Sequence, residues 1–178
     1  MIRLFAAIAA PETLAETLAR LQAGVEGARW RPPGALHVTL RFFGDIPENL
    51  ADDLDEELQA VEGEPFDAAL KGVGAFGEGR NLRAIWAGVE ESAPLRRLAG
   101  RCEAAARRAG LRPETRNYTP HVTLAYLRGV DEGEVAAWIQ RHNLFRTPPF
   151  AVDRFGLYSS WTGRSGSAYR REREYPLR

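Results

Sequence analysis

The chain has 178 residues, of which 44% are hydrophobic and 27% charged. That is a globular composition, long enough for one domain with a substantial core. Twenty-four basic residues balance twenty-four acidic ones, which excludes a protein held to duplex nucleic acid by bulk charge alone, and a single cysteine excludes a disulfide framework or a Cys-rich metal site.

Residues 2–9 (IRLFAAIA) form a short apolar run ended by Pro11 and predict a buried strand. The run from Leu4 to Pro11 is too short to span a membrane and carries no convincing cleavage site, so a cytoplasmic location is expected. After Pro11, Leu14, Leu18, Leu21 and Val25 fall at helical spacing. Residues 30–34 (WRPPG) read as a stiff connection, and residues 36–43 (LHVTLRFF) as a strand rich in β-branched and aromatic side chains.

Leu50, Leu54, Leu58 and Val61 predict a second helix over 48–61, with an acidic outer face read as solvated. Two strands, 66–73 and 82–89, are expected around a Gly-rich turn that lacks the ending of a phosphate loop. Ser92 can cap a helix from about Pro94 to Ala109, whose apolar stripe includes Cys102 as a packing residue. Residues 120–127 (PHVTLAYL) predict a strand and 131–142 a short helix. Residues 150–160 and 168–175 predict strands around the loop 162–166. Helices and strands mix without strict alternation, which indicates an α+β fold with antiparallel pairing.

The chain repeats itself. His37-Val38-Thr39-Leu40 recurs as His121-Val122-Thr123-Leu124, 84 residues later, using two of only three histidines. Repetition near half-length suggests a duplicated lobe. On a strand, residues two apart share a face. The valine and leucine of each copy therefore anchor the core, while His37 with Thr39 and His121 with Thr123 present an imidazole and a hydroxyl. Two such pairs across a cleft suit phosphodiester cleavage, with one imidazole as base and the other as acid. The threonine hydroxyls would hold phosphate oxygens. A metal site is poorly supported, since each strand offers one good ligand with no nearby cysteine or paired carboxylate. His142, beside Arg141 at a helix end, is assigned no role.

These segments resemble the paired HxTx motifs of the 2H phosphoesterase superfamily, and within it the RNA 2′,3′-cyclic phosphodiesterases of the LigT type, once called 2′-5′ RNA ligases. The resemblance extends from the Arg3-Leu4-Phe5 strand to the Leu157-Tyr158-Ser159-Ser160 strand. It implies one domain over residues 1–178, a bilobal duplicated α+β fold in which two antiparallel sheets line a central cleft with helices outside. It implies opening of RNA 2′,3′-cyclic phosphate ends to 2′-phosphomonoesters without metal or cofactor. His37 would then be the proton donor and His121 the proton acceptor. Reverse 2′-5′ joining of RNA ends such as tRNA halves, and RNA-end binding without turnover, are the alternatives. A monomer is expected.

Many relatives carry an arginine where Tyr126 stands, and the nearest arginine is Arg128. Regular alternation would place Arg41 and Phe43 on the face of His37 and Thr39, and would turn Phe42, the position matching the family aromatic, inward unless the strand bulges. Arg41, Phe42, Tyr126 and Arg128 are therefore candidate substrate contacts, with Arg116 and Arg164 as further ones. The neutral total also hides a gradient: residues 1–89 hold 8 basic and 14 acidic residues, and residues 90–178 hold 16 and 10. Eight of the carboxylates lie within 48–64, which leaves room for a positively biased cleft.

Overall fold

The structure, a computed structural model, describes residues 1–163 and 166–178. Arg164 therefore lies outside the described residues. The elements in chain order are β1 (Ile2–Ala9), α1 (Glu12–Ala19), β2 (Arg29–Trp30), β3 (His37–Ile46), α2 (Glu48–Gln59), β4 (Phe66–Ala68), β5 (Leu70–Phe76), β6 (Ala84–Val89), α3 (Ala93–Arg108), β7 (His121–Tyr126), α4 (Glu132–His142), β8 (Phe150–Val152), β9 (Arg154–Gly163) and β10 (Gly166–Pro176). No helix among the described residues is long and apolar enough to cross a membrane.

Seven strands run in the order β10-β9-β1-β3-β7-β6-β5, all neighbours antiparallel, with β2 added on β7. β4 and β8 form a separate two-stranded sheet. The α+β, antiparallel expectation holds. The two antiparallel halves are not separate sheets, however. They join through one bridge, Val38 opposite Val122. Beyond it the strands part, and β2 takes the place along β7 that β3 vacates, with Arg29 opposite Tyr126 and Trp30 opposite Ala125.

One face of the sheet carries the core. Leu4, Ile8, Val38, Leu40, Ile85, Val122 and Leu124 meet Leu14, Leu18, Leu54, Leu58, Leu95, Leu98 and Trp138 from the helices. The helical spacing read from the sequence supplies these contacts. Ser92 caps α3 by accepting from the Leu95 N–H at 3.3 Å. Cys102 is fully buried on that helix, and burial pushes its thiol up to about 12, so it packs rather than reacts.

The acidic face of α2 is less solvated than its composition suggests. Asp55 accepts from Tyr175 (2.5 Å) and Arg173 (3.0 Å), and Glu57 pairs with Arg108. These carboxylates fasten the helix to β10 and α3. The Gly-rich segment also differs from expectation. Gly72 and Gly74 lie within β5 rather than in a turn alone, and a Cβ on Gly74 would lie 2.4 Å from the Trp86 ring on the paired strand. Gly74 thus makes room for an indole next to the second motif.

Candidate active site

Each repeated tetrapeptide begins a strand of the central pair. The Val38–Val122 bridge sets the antiparallel register, so Thr39 lies across from His121 and His37 from Thr123. Val38, Leu40, Val122 and Leu124 are buried against the helices, while both histidines and both threonines are partly exposed on the opposite face. The alternation read from the tetrapeptides places these four side chains correctly.

Past the tetrapeptide both strands bulge, at the same position. On β3, Ala7 faces Thr39 but Ala6 faces Arg41, so Leu40 has no single partner. On β7, Trp86 faces Thr123 but Ile85 faces Ala125, so Leu124 is the extra residue. A bulge inverts the phase of the residues that follow it, on β3 as far as a second irregularity at Phe43. The Arg41 side chain therefore turns toward α3, out of line with His37 and Thr39, which corrects the alternation expected for it, although it still lines the cavity that holds Thr39 and His121. There Arg41 donates to the Glu103 carboxylate at 2.5 Å and to the Arg112 carbonyl at 2.8 Å, with its side chain only 10% exposed. Phe42 emerges on the histidine face, 42% exposed, while Phe43 packs toward the core. Tyr126 holds the matching place on β7, 39% exposed.

The two imidazoles are held alike. His37 Nδ1 lies 2.9 Å from the Ala35 carbonyl, and His121 Nδ1 lies 2.8 Å from the Thr119 carbonyl. A carbonyl can only accept, so Nδ1 carries the proton and Nε2 is left unprotonated. Each ring has aromatic walls. Phe5 (centroids 4.9 Å) and Tyr169 (5.2 Å) flank His37, and Phe76 (4.8 Å) and Trp86 (6.4 Å) flank His121. Burial pushes His37 down to about 4, helped by the Arg31 guanidinium and by His121, against the Ala35 bond, which raises it. Burial also lowers His121, opposed by its bond to Thr119. Burial thus favours the neutral form of both rings at pH 7.

A cavity of about 740 Å³ opens on this face, lined by Thr39, Phe42, Phe76, Tyr118, His121 and Tyr126. Tyr118 donates to the Thr39 carbonyl at 3.1 Å and so braces the first motif. Arg116 reaches the same cavity but is paired with Glu114 at 2.8 Å, and Arg96 and Arg83 also line it. Arg128 is exposed just after β7 and lines neither this cavity nor the one beside it. Sequence reasoning missed Arg31. It is 7% exposed, with its guanidinium over the rings of Tyr126 (5.2 Å) and Tyr169 (5.1 Å). The available signal was the triplet Arg29-Trp30-Arg31, polar–apolar–polar, ahead of the two prolines.

The profile described as "2'-5' RNA ligase superfamily" matches residues 10–164. The chain belongs to that superfamily. One curated superfamily relative is an RNA 2′,3′-cyclic phosphodiesterase of Archaeoglobus fulgidus, 28% identical over 172 residues, covering 95% of this chain and 97% of the relative. Among solved structures, TT0787 of Thermus thermophilus superposes with a TM-score of 0.82 at 26% identity, covering 99% of this chain and 98% of that one. E. coli LigT complexed with 3′-AMP superposes with a TM-score of 0.78 at 25% identity, with the same coverage. The superfamily fold is therefore present over nearly the whole chain.

Proposed function

We propose that this protein hydrolyses RNA 2′,3′-cyclic phosphate ends to 2′-phosphomonoesters, with His37 and His121 as acid and base, in a single domain of two pseudo-symmetric lobes spanning residues 1–178. The observation that carries this reading is the matched pair of imidazoles. Each has its Nδ1–H held by the carbonyl two residues upstream and an Nε2 without a hydrogen-bond partner among the described residues, with a threonine of the other motif across from it. Membership in the superfamily, and curated relatives named RNA 2′,3′-cyclic phosphodiesterase, support the substrate class.

In this mechanism His121 takes a proton from water as its oxygen attacks phosphorus. The P–O3′ bond breaks, and His37 gives a proton to the departing O3′. The products are a 2′-phosphomonoester and a free 3′-hydroxyl. Burial favours a neutral His37, so its acid role depends on the substrate: an anion beside the imidazole favours the charged form and raises its pKa on binding. Thr39 and Thr123 donate to the non-bridging oxygens. Phe42 and Tyr126 offer rings on the same face for stacking a terminal base. Arg128 would meet the RNA backbone outside the cleft. An RNA 5′-hydroxyl in place of water would give 2′-5′ joining by the same proton transfers, and the superfamily's description favours keeping that second reading.

The test is incubation of an RNA ending in a 2′,3′-cyclic phosphate, with EDTA present, followed by identification of the end group. A 2′-phosphate is expected. A 3′-phosphate product, or activity abolished by EDTA, overturns the reading.

A further inference from the structure

β2 lies where β3 and β7 part, directly alongside the second motif. Trp30 turns to the core, its ring 6.2 Å from the fully buried Trp138. Alternation then turns Arg29 and Arg31 to the histidine face. The Arg31 N–H bonds the Leu124 carbonyl at 2.8 Å, which fixes this residue beside the end of the second tetrapeptide. On its other side Tyr169 is shared: its ring touches both the Arg31 guanidinium (5.1 Å) and the His37 ring (5.2 Å).

Arg31 is the one charged residue buried among the described residues. Among those residues it takes part in no ion pair, whereas Arg41, the other deeply placed arginine near the motifs, pairs with Glu103 and Glu114. One of its N–H groups donates to the Ser167 carbonyl at 2.9 Å. Stacking on Tyr126 and Tyr169 offsets part of the cost of burying a cation, but a buried charge without a counter-ion is strongly disfavoured unless an anion completes the site. The space beside it is open: a cavity of about 590 Å³ is lined by Arg29, Arg31, Ala35, Tyr126, Thr162 and Tyr169. Tyr126 lines both this cavity and the one holding His121, so the two adjoin at the second motif.

We propose that Arg31 is the cation that receives the scissile phosphate, its planar fork meeting the non-bridging oxygens while Tyr126 and Tyr169 hold it in plane. The proposal rests on the function above for the identity of the phosphate, but not for the existence of an anion site. Arg31 brings positive charge to the point where negative charge accumulates in the transition state. Tyr169 acts through it and is a positioning residue, while Tyr126 both holds it and offers the ring assigned above to a terminal base.

The experiment compares wild type with Arg31→Met, Arg31→Lys and Arg31→Gln. Inorganic phosphate is titrated calorimetrically into each, and kcat/KM is measured on a nucleoside 2′,3′-cyclic phosphate and on a dinucleotide with the same end. Arg31→Met should weaken phosphate binding about tenfold or more and lower kcat/KM on both substrates by about 10²-fold. Arg31→Lys should recover part of both losses. Unchanged phosphate affinity and kcat/KM in Arg31→Met overturns the proposal. A loss confined to the dinucleotide also overturns it, by assigning Arg31 to an internal phosphate. If wild type opens no cyclic phosphate, the function reading fails, and the phosphate titration still decides Arg31. If Arg31→Met does not fold, Arg31→Gln, which keeps a donor for the Ser167 carbonyl, carries the same expectations.

Discussion

The two His-Val-Thr-Leu strands share four residues, one bulge and the same carbonyl hold on Nδ1, yet their imidazoles sit in unlike surroundings. His37 lies among Phe5 and Tyr169 with a buried guanidinium nearby, and is pushed down to about 4. His121 lies against Phe76 and Trp86 and lines a cavity, and its lowering has burial as the sole downward cause. Identical local sequence therefore fixes the orientation of each ring, while different neighbours set its proton affinity. That is how a duplicated motif can supply two different groups to one reaction.

The sharpest way to break this comparison is to remove each ring. His37→Ala and His121→Ala should each lower kcat by about 10²–10⁴-fold, the usual contribution of a positioned acid or base. Each should also remove a different limb of the pH–rate profile. Two variants with the same residual profile would show the rings to be equivalent. A near-normal rate in either would remove that ring from the chemistry.

The threonines come next. Thr39→Ala and Thr123→Ala each delete one donor to developing charge and should cost about 10²-fold in kcat. The register pairs Thr39 with His121 and Thr123 with His37. The double variant Thr39→Ala/His121→Ala should then lose less than the product of the single losses, because paired groups act as a unit. Strictly multiplicative losses would mean that the cross-strand pairing has no catalytic consequence.

Much of this site was legible in the amino-acid order alone. A period of two over four residues is short enough to be safe, so His37, Thr39, His121 and Thr123 face as the tetrapeptides suggest. What failed was extrapolation by one more step. Leu40 and Leu124 each bulge, and nothing in HVTLRFF or HVTLAYL announces the extra residue, since both continue as β-forming sequence. Arg41 was consequently expected on the wrong face, and Phe42 reaches the cleft only because the strand bulges. Arg31 was hidden for a different reason: WRPPG reads as a connection, and only the parting of β3 from β7 creates a gap for a two-residue strand to fill. Burial of a lone cation is a property of that gap, not of the local sequence.

The second-motif side can be perturbed without touching a catalytic group. Gly74→Ala would put a methyl 2.4 Å from the Trp86 ring. Overpacking of this kind costs about 1–3 kcal/mol, measurable as a lower urea midpoint. Trp86 must shift, so the His121 resonance should move in NMR while that of His37, on the far side of the Val38–Val122 bridge, stays in place. Matched shifts in both rings would mean that the aromatic walls are one unit rather than two.

The pH dependence of stability tests the difference between the motifs most directly, and its sign follows from the histidines. His37 has a folded pKa of about 4 against an ordinary value of 6.5. Between those values the unfolded chain binds more protons than the folded one, so stability rises with pH in that window. The contribution is fully present above 6.5 and is lost as pH falls toward 4. His121 acts in the same direction. Carboxylates held low, such as Glu114 at about 2 through its bond from Arg116, begin to matter only below their ordinary value of 4.5. The interval from pH 6.5 to 4.5 therefore isolates the histidines. Wild type should lose stability across it, and His37→Gln, which has no proton to gain, should lose less. Urea midpoints at pH 7, 5.5 and 4.5 measure the difference. Parallel curves for the two proteins would mean that His37 titrates normally, and the contrast between the two motifs would then arise only on substrate binding.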